Sequence, residues 1–209
     1  MFKIKYICGL ILALFCHFAW AGVYEDMIAA VRADHVDVID SLLKRGFDAN
    51  AVDREGNTLL MLAAREGSKR AASRLLAAHI KVDARNIFGE SALMIAALQG
   101  NLDLTRSMLL SGADPNQTGW TALMYAAASG NSNIARLLIS YGARVNATAD
   151  NGYTALMMAA REGRTEVVAL LLANGADASL KAGAGVTAAS IARDKNFPPI
   201  VELLNKAAR

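Results

Sequence analysis

The residues of this chain that could do chemistry are few, and their spacing is poor for it. His35 stands between Asp34 and Asp37, a grouping able to ligate a metal, but the next histidine, His79, lies 44 positions away. Acids at this spacing also suit a solvated helix start, where negative charge is favourable near the N-terminus. Arg65–Glu66 recurs as Arg161–Glu162. Each pair has the make-up of a carboxylate and its activator, yet adjacent residues on a helix point apart and neither repeat supplies a second facing carboxylate. The Gly-rich stretch around Gly183 and Gly185 lacks both a leading strand and a lysine at phosphate-loop spacing, and HExxH, GxSxG and P-loop patterns are missing. Cys8 and Cys16 fall within the first 21 residues. The expectation is a non-catalytic chain with no metal site and no cofactor.

The elements that would position these residues recur. Near copies of one stretch begin at Thr58 (TLLMLAAREG), Ser91 (SALMIAALQG), Thr121 (TALMYAAASG), Thr154 (TALMMAAREG) and, more weakly, Thr187 (TAASIARDKN), at spacings of 33, 30, 33 and 33. Each letter has a physical role. The Thr or Ser hydroxyl can accept from the free N–H groups of the helix it opens. Leu60, Ala63 and Ala64 share a helix face, and the small methyl groups let neighbouring helices approach. Gly67, Gly100, Gly130 and Gly163 end that helix. A second helix with paired aliphatics follows (Leu75 and Leu76, Leu109 and Leu110, Leu137 and Leu138, Leu170 and Leu171), and then a turn at Gly112, Gly142 or Gly175.

A period of 33 with this Thr, Leu and paired-Ala start resembles the ankyrin repeat, with Met61, Met94, Met124 and Met157 where that family carries His. The resemblance covers about Met27 to Arg209. It implies an all-α solenoid of stacked helix-turn-helix units with hairpin-like loops. The methionines sit at the unit's buried helix position and are expected in the core.

The N-terminus reads differently. Lys3 and Lys5 precede an apolar run from Ile7 to Phe18, and Ala19, Trp20 and Ala21 supply a small-x-small cleavage pattern. Residues 1–21 are therefore expected to be a secretory signal peptide, leaving a chain that starts at Gly22. The alternative is an uncleaved inner-membrane anchor, although twelve apolar residues fall short of the ~20 that span a bilayer. Both readings put the body outside the cytoplasm: periplasmic or secreted, or anchored and facing the periplasm. Cleavage would remove both cysteines, so stacking alone would have to stabilise the array. It would also leave twenty basic and nineteen acidic groups, a net charge of +1, where tracking nucleic acid calls for a basic stripe.

The expected units are an N-terminal capping repeat at 22–52, repeats at 53–84, 85–115, 116–147 and 148–181, and a C-terminal capping repeat at 182–209. In the first cap Ala33 takes the place of the stop glycine. His79 replaces a turn glycine, which costs about 1 kcal/mol for a left-handed backbone, so a locally distorted turn is expected there. The third full repeat has a hairpin shortened by three residues, with five positions from Asn116 to Thr121 where the others have eight.

In ankyrin-like proteins the loop tips and first helices form one concave surface that binds other proteins. Counting from each Thr or Ser, the positions projecting there are Arg54, Glu55, Asn57, Arg65 and Glu66; Ile87, Phe88, Glu90, Leu98 and Gln99; Trp120, Ala128 and Ser129; and Asp150, Asn151, Tyr153, Arg161 and Glu162. Phe88, Trp120 and Tyr153 lie at or beside three successive tips. Aromatic and Arg residues dominate interface hot spots, so these three are the expected centre. The alternative is that the short hairpin lets Trp120 fold down over Phe88 or Tyr153. The resemblance implies a protein-binding module, and with the leader and the near-neutral charge the expectation is an exported monomer that binds an envelope protein and no nucleic acid; an enzyme is the rival reading, against which the lack of a convergent polar constellation counts. Two narrower versions are neutralisation of a secreted toxin and support of an envelope enzyme of oxidative-stress defence.

Overall fold

The computed structural model describes residues 22–207. Residues 1–21, the expected leader, and with them both cysteines, lie outside the described residues. Among the described residues there are twelve α-helices and no named strand, and the helices alternate between two layers. The first layer holds α1 (22–32), α3 (Leu59–Glu66), α5 (Ala92–Leu98), α7 (Ala122–Ser129), α9 (Ala155–Arg161) and α11 (Ala188–Asp194). The second holds α2 (Val36–Lys44), α4 (Lys69–Leu76), α6 (Leu102–Leu110), α8 (Ser132–Ser140), α10 (Thr165–Ala173) and α12 (Pro198–Ala207). None of these helices is long and apolar enough to cross a membrane.

The repeated Thr starts its helix as a cap. Thr58, Thr121, Thr154 and Thr187 accept from the backbone N–H three residues on, at 3.2–3.3 Å. In the four full units the third position is a fully buried methionine, and in two of them it closes a second bond. The Thr58 and Ser91 N–H groups donate to the Met61 and Met94 sulfurs at 3.4 Å. A thioether is a weak acceptor, yet it satisfies an N–H that burial would otherwise leave unpaired.

Ala63, Ala64, Ala96, Ala97, Ala126, Ala127, Ala159 and Ala160 are completely buried. They form the seam along which the first helices stack. Those helices pack closer to one another than the second-layer helices do, so the stack curves toward them. The helix that follows buries one position per unit at the same phase: Leu42, Leu75, Met108, Leu138 and Leu171. The aliphatic pair of the second full repeat is divided by this phase. Met108 and Leu109 face inward, and Leu110 is 71% exposed.

The first cap also needs a correction of one residue. Asp34, rather than Ala33, occupies the left-handed position of the stop glycine, at φ 55°. Asp is tolerated there because its carboxylate finds partners in the next unit. It accepts from the Ala71 N–H at 2.6 Å and the Arg70 N–H at 3.3 Å, capping α4 from outside. These bonds occupy the acid beside His35, and among the described residues no group of three or more metal-ligating side chains is gathered. His79 takes the left-handed conformation of the glycine it replaces, at φ 54°. At the other end Pro198 opens α12, which buries Ile200 and Leu204.

Between units, side chains at the turns form a ladder. The Asn50, Asp83, Asn116 and Asn146 side-chain oxygens accept from the backbone N–H of Lys81, Asp114, Arg144 and Asp177, one unit further on, at 2.7–3.0 Å. Asn116 and Asn146 also donate to the Gly142 and Gly175 carbonyls. Each unit thus orders the turn of the next, and contacts stay between neighbours.

Candidate protein-binding surface

The hairpins project from the N-terminal ends of the first helices. The four full-length hairpins close through a backbone bond across the base, as from Asp53 N–H to Asn57 O and from Asn86 N–H to Glu90 O, with a positive-φ glycine (Gly56, Gly89, Gly152, Gly185) before the last residue. Neighbouring tips join edge to edge where their lengths match: Ile87 N–H donates to Glu55 O at 2.9 Å and Gly183 N–H to Asn151 O at 3.3 Å. Gly183–Gly185 is a 3-10 turn of the last hairpin.

At the short hairpin a side chain takes over. Arg85 donates through Nε to Gln117 Oε1 at 2.8 Å and through its guanidinium to Thr118 O at 2.6 Å, tying the truncated loop to the preceding unit. The lost residues leave a cleft of about 650 Å³ between Gln117–Gly119 and Arg144–Thr148.

The expected contact residues separate into three groups. Arg54, Glu55, Arg65, Glu66, Ile87, Phe88, Leu98, Gln99, Asp150, Asn151, Arg161 and Glu162 are exposed. Glu90, Trp120, Ala128, Ser129 and Tyr153 are half-buried. Asn57 is a correction: it is 7% exposed and belongs to the framework. Its amide donates to Asp53 and Glu55, and its carbonyl accepts from the Asn86 amide at 2.9 Å, locking two hairpins together. Those bonds to Asn57, with the nearby Arg65 charge, outweigh burial and hold the Asp53 carboxyl below its usual range.

The three aromatics do not form an exposed row either. Phe88 is 67% and Ile87 70% exposed, whereas Trp120 and Tyr153 rest on the core. Trp120 does fold down, but onto Tyr125 of its own unit rather than onto Phe88 or Tyr153. The rings meet edge-on, with centroids 6.2 Å apart and planes at 69°.

Tyr125 was not among the expected contacts. Its signal was nonetheless present, since every other unit places an aliphatic there (Leu62, Ile95, Met158, Ile191). Its hydroxyl donates to Glu90 Oε1 at 3.3 Å. Burial, then the Glu90 charge and hydrogen bond, push the phenol up to about 12. A group whose folded pKa is raised contributes stability in full below its unfolded value near 10 and loses it as pH climbs through about 12. In an ultraviolet titration, the difference between the parent chain and Tyr125→Phe should therefore show one phenolate forming near pH 12. A midpoint near 10 would mean that neither the burial of the phenol nor its contact with Glu90 holds in solution.

Two glutamates of the face have guanidinium partners. Arg32 meets Glu66 at 3.6 Å, and Arg161 meets Glu162 at 3.3 Å. Nothing in this geometry converges as a nucleophile, base and oxyanion site would. It offers a firm, curved surface with an apolar centre and charged ends. Stacked helix pairs with projecting tips define a repeat solenoid that works through its surface.

A family model described as ankyrin repeats (3 copies) matches residues 27–118 and 93–182. The chain belongs to the ankyrin-repeat family. It is 34% identical to an ankyrin repeat domain from Acinetobacter baumannii AYE, whose crystal structure superposes with a TM-score of 0.78 over 87% of this chain and 97% of that one. The human ASB11 ankyrin repeat domain superposes equally well, with a TM-score of 0.78 at 19% identity over 88% of this chain and 83% of its own, and so shows the fold alone. By sequence the chain is 40% identical over 96 residues to a putative ankyrin repeat-containing protein of Treponema pallidum (strain Nichols). It is 36% identical over 90 residues to the nuclear factor NF-kappa-B p105 subunit of Gallus gallus. These matches take in 46% and 42% of this chain, but only 32% and 9% of the relatives' lengths. Ankyrin repeat domains generally mediate protein–protein interaction and are typically non-catalytic.

Proposed function

We propose that this chain is an exported, monomeric binding module that captures an envelope protein on its tips and first helices, centred on Ile87, Phe88 and Trp120. The observation that carries this is the solvent-facing Ile87–Phe88 pair beside a tryptophan braced on Tyr125. Adjacent large apolar side chains held out on a rigid hairpin are disfavoured unless something covers them. Neutralising a secreted toxin and assisting an envelope enzyme are both compatible with such a surface. Neither has an observation of its own.

Phe88→Ala separates binding from folding. Because Phe88 is mostly exposed, the variant should unfold within about 0.5 kcal/mol of the parent. It should lose about 2 kcal/mol of affinity for a partner recovered from periplasmic extract. Trp120→Ala should lose at least as much affinity, together with about 1 kcal/mol of stability from the broken Tyr125 contact. Undiminished capture by both variants would place the binding surface elsewhere.

Export rests on the basic, apolar and small-x-small order of residues 1–21. Intact-mass measurement on the chain from an exporting bacterial host should give a species starting at Gly22. A membrane-bound species keeping residues 1–21 would favour the anchored form.

A further inference from the structure

The cleft left by the short hairpin narrows the kind of partner, given the protein-binding reading proposed above. It runs between Gln117–Gly119 and Arg144–Thr148, and Arg144 is the one charged side chain that lines it. The unit that forms it, residues 116–147, contains Arg136 and Arg144 but neither Asp nor Glu. Arg144 is exposed and donates through its guanidinium to the Asn116 carbonyl at 3.1 Å. No carboxylate lies within salt-bridge distance of it among the described residues, whereas Arg32, Arg74 and Arg161 each have one. Nearby acids are otherwise placed. Asp83 and Asp114 share a separate hollow with Arg85, where they accept from the Asp114 and Asn116 N–H groups. Asp150 comes toward Gly119 from the next tip, but does not line the cleft.

Backbone donors add to this charge. In the first hairpin the Asp53 carboxylate accepts from the Glu55 and Asn57 N–H groups at 2.8–2.9 Å, and in the second the Asn86 side-chain oxygen accepts from those of Phe88 and Glu90. The short hairpin has no such acceptor of its own: the N–H groups of Thr118, Gly119 and Trp120 are without a partner among the described residues. Successive turn N–H groups beside a guanidinium suit an anion, and a carboxylate can take bonds from both. We propose that the cleft receives an aspartate or glutamate side chain of the partner protein, its carboxylate on Arg144 and on the open N–H groups of the short hairpin. Asp53 shows within this chain the bond pattern that the partner's carboxylate supplies to the shortened loop. The three-residue deletion is then the feature that selects an acidic segment.

The probes are dye-labelled, C-terminally amidated peptides that alternate glutamate with serine, set against glutamine–serine and lysine–serine peptides of the same length, with binding read by fluorescence anisotropy. The glutamate peptide should bind saturably, more weakly as salt is raised, and lose at least about fivefold in affinity to Arg144→Gln. Arg144→Lys keeps the charge and should recover part of that loss. Arg136→Gln removes the same charge from α8 of the same unit and should leave the affinity within about twofold of the parent. The glutamine and lysine peptides should not bind. No saturable binding of the glutamate peptide, equal binding of the glutamine peptide, an unaltered affinity in Arg144→Gln, or losses as large in Arg144→Lys or Arg136→Gln would each overturn the inference. The underlying surface is judged separately: a captured partner that needs Phe88 but neither Arg144 nor low salt keeps the surface and removes its preference for an acidic segment.

Discussion

Leucine in place of Ala127 should lower the unfolding free energy by about 1–3 kcal/mol, read as a shift of the denaturant midpoint followed by circular dichroism. Ala127 is completely buried on α7, and α7 is packed between α5 on one side and α9 on the other. The neighbours at this level are themselves methyl groups, with Ala96, Ala97, Ala159 and Ala160 equally inaccessible. Three added carbons have no cavity to enter and must push one first helix away from the next. The strain then reaches both interfaces of the central unit, where a solenoid has no alternative contacts to draw on. An unchanged midpoint would mean that the helices can separate without loss, and that the alanine seam does not set the repeat spacing.

Gly152→Ala should cost more, about 2–4 kcal/mol, for two separable reasons. Gly152 has φ 81°, a conformation that a side chain resists, and a Cβ built on it would lie 2.9 Å from the Ala182 Cα of the adjoining hairpin. A backbone atom cannot swing aside as a side chain can. Gly175→Ala serves as the control, with the same backbone (φ 83°) and no atom within 4 Å of the new Cβ, so its cost should stay near 1 kcal/mol. The difference between the two variants measures how tightly the last two hairpins are joined. Equal costs would mean that the tips are free to spread, which would weaken the case for a rigid binding edge.

Much of the architecture was legible in the order of residues because it depends on local patterns that recur. A hydroxyl before an apolar run, paired alanines at helical spacing and a glycine nine residues after the hydroxyl specify a capped, stackable, terminated helix wherever they occur. The buried methionines, the left-handed His79 and the three-residue deletion before Thr121 followed from the same register. Failures came where the register was ambiguous or another unit intervened. Asp34 looked like one residue of a polar helix start, and only its bonds to Ala71 and Arg70 reveal it as the stop position of the first cap. Leu109 and Leu110 are alike in sequence, yet Met108 holds the repeat position and Leu110 is turned outward.

For the candidate surface the division runs along the same line. Sequence by itself determined the number of units, which positions belong to tips and first helices, and which of those are aromatic or charged, because each is fixed by counting from a repeated residue. Tertiary structure alone decided what is available for contact. Asn57 sits at a tip position by count, but the amide of Asn86 in the next unit draws it into the framework. Trp120 could have met Phe88 or Tyr153, and the fold gave it Tyr125 and, through that phenol, the charge of Glu90. Exposure and electrostatics depend on what lies within a few ångströms, and in a stacked array those neighbours come from units about thirty residues away.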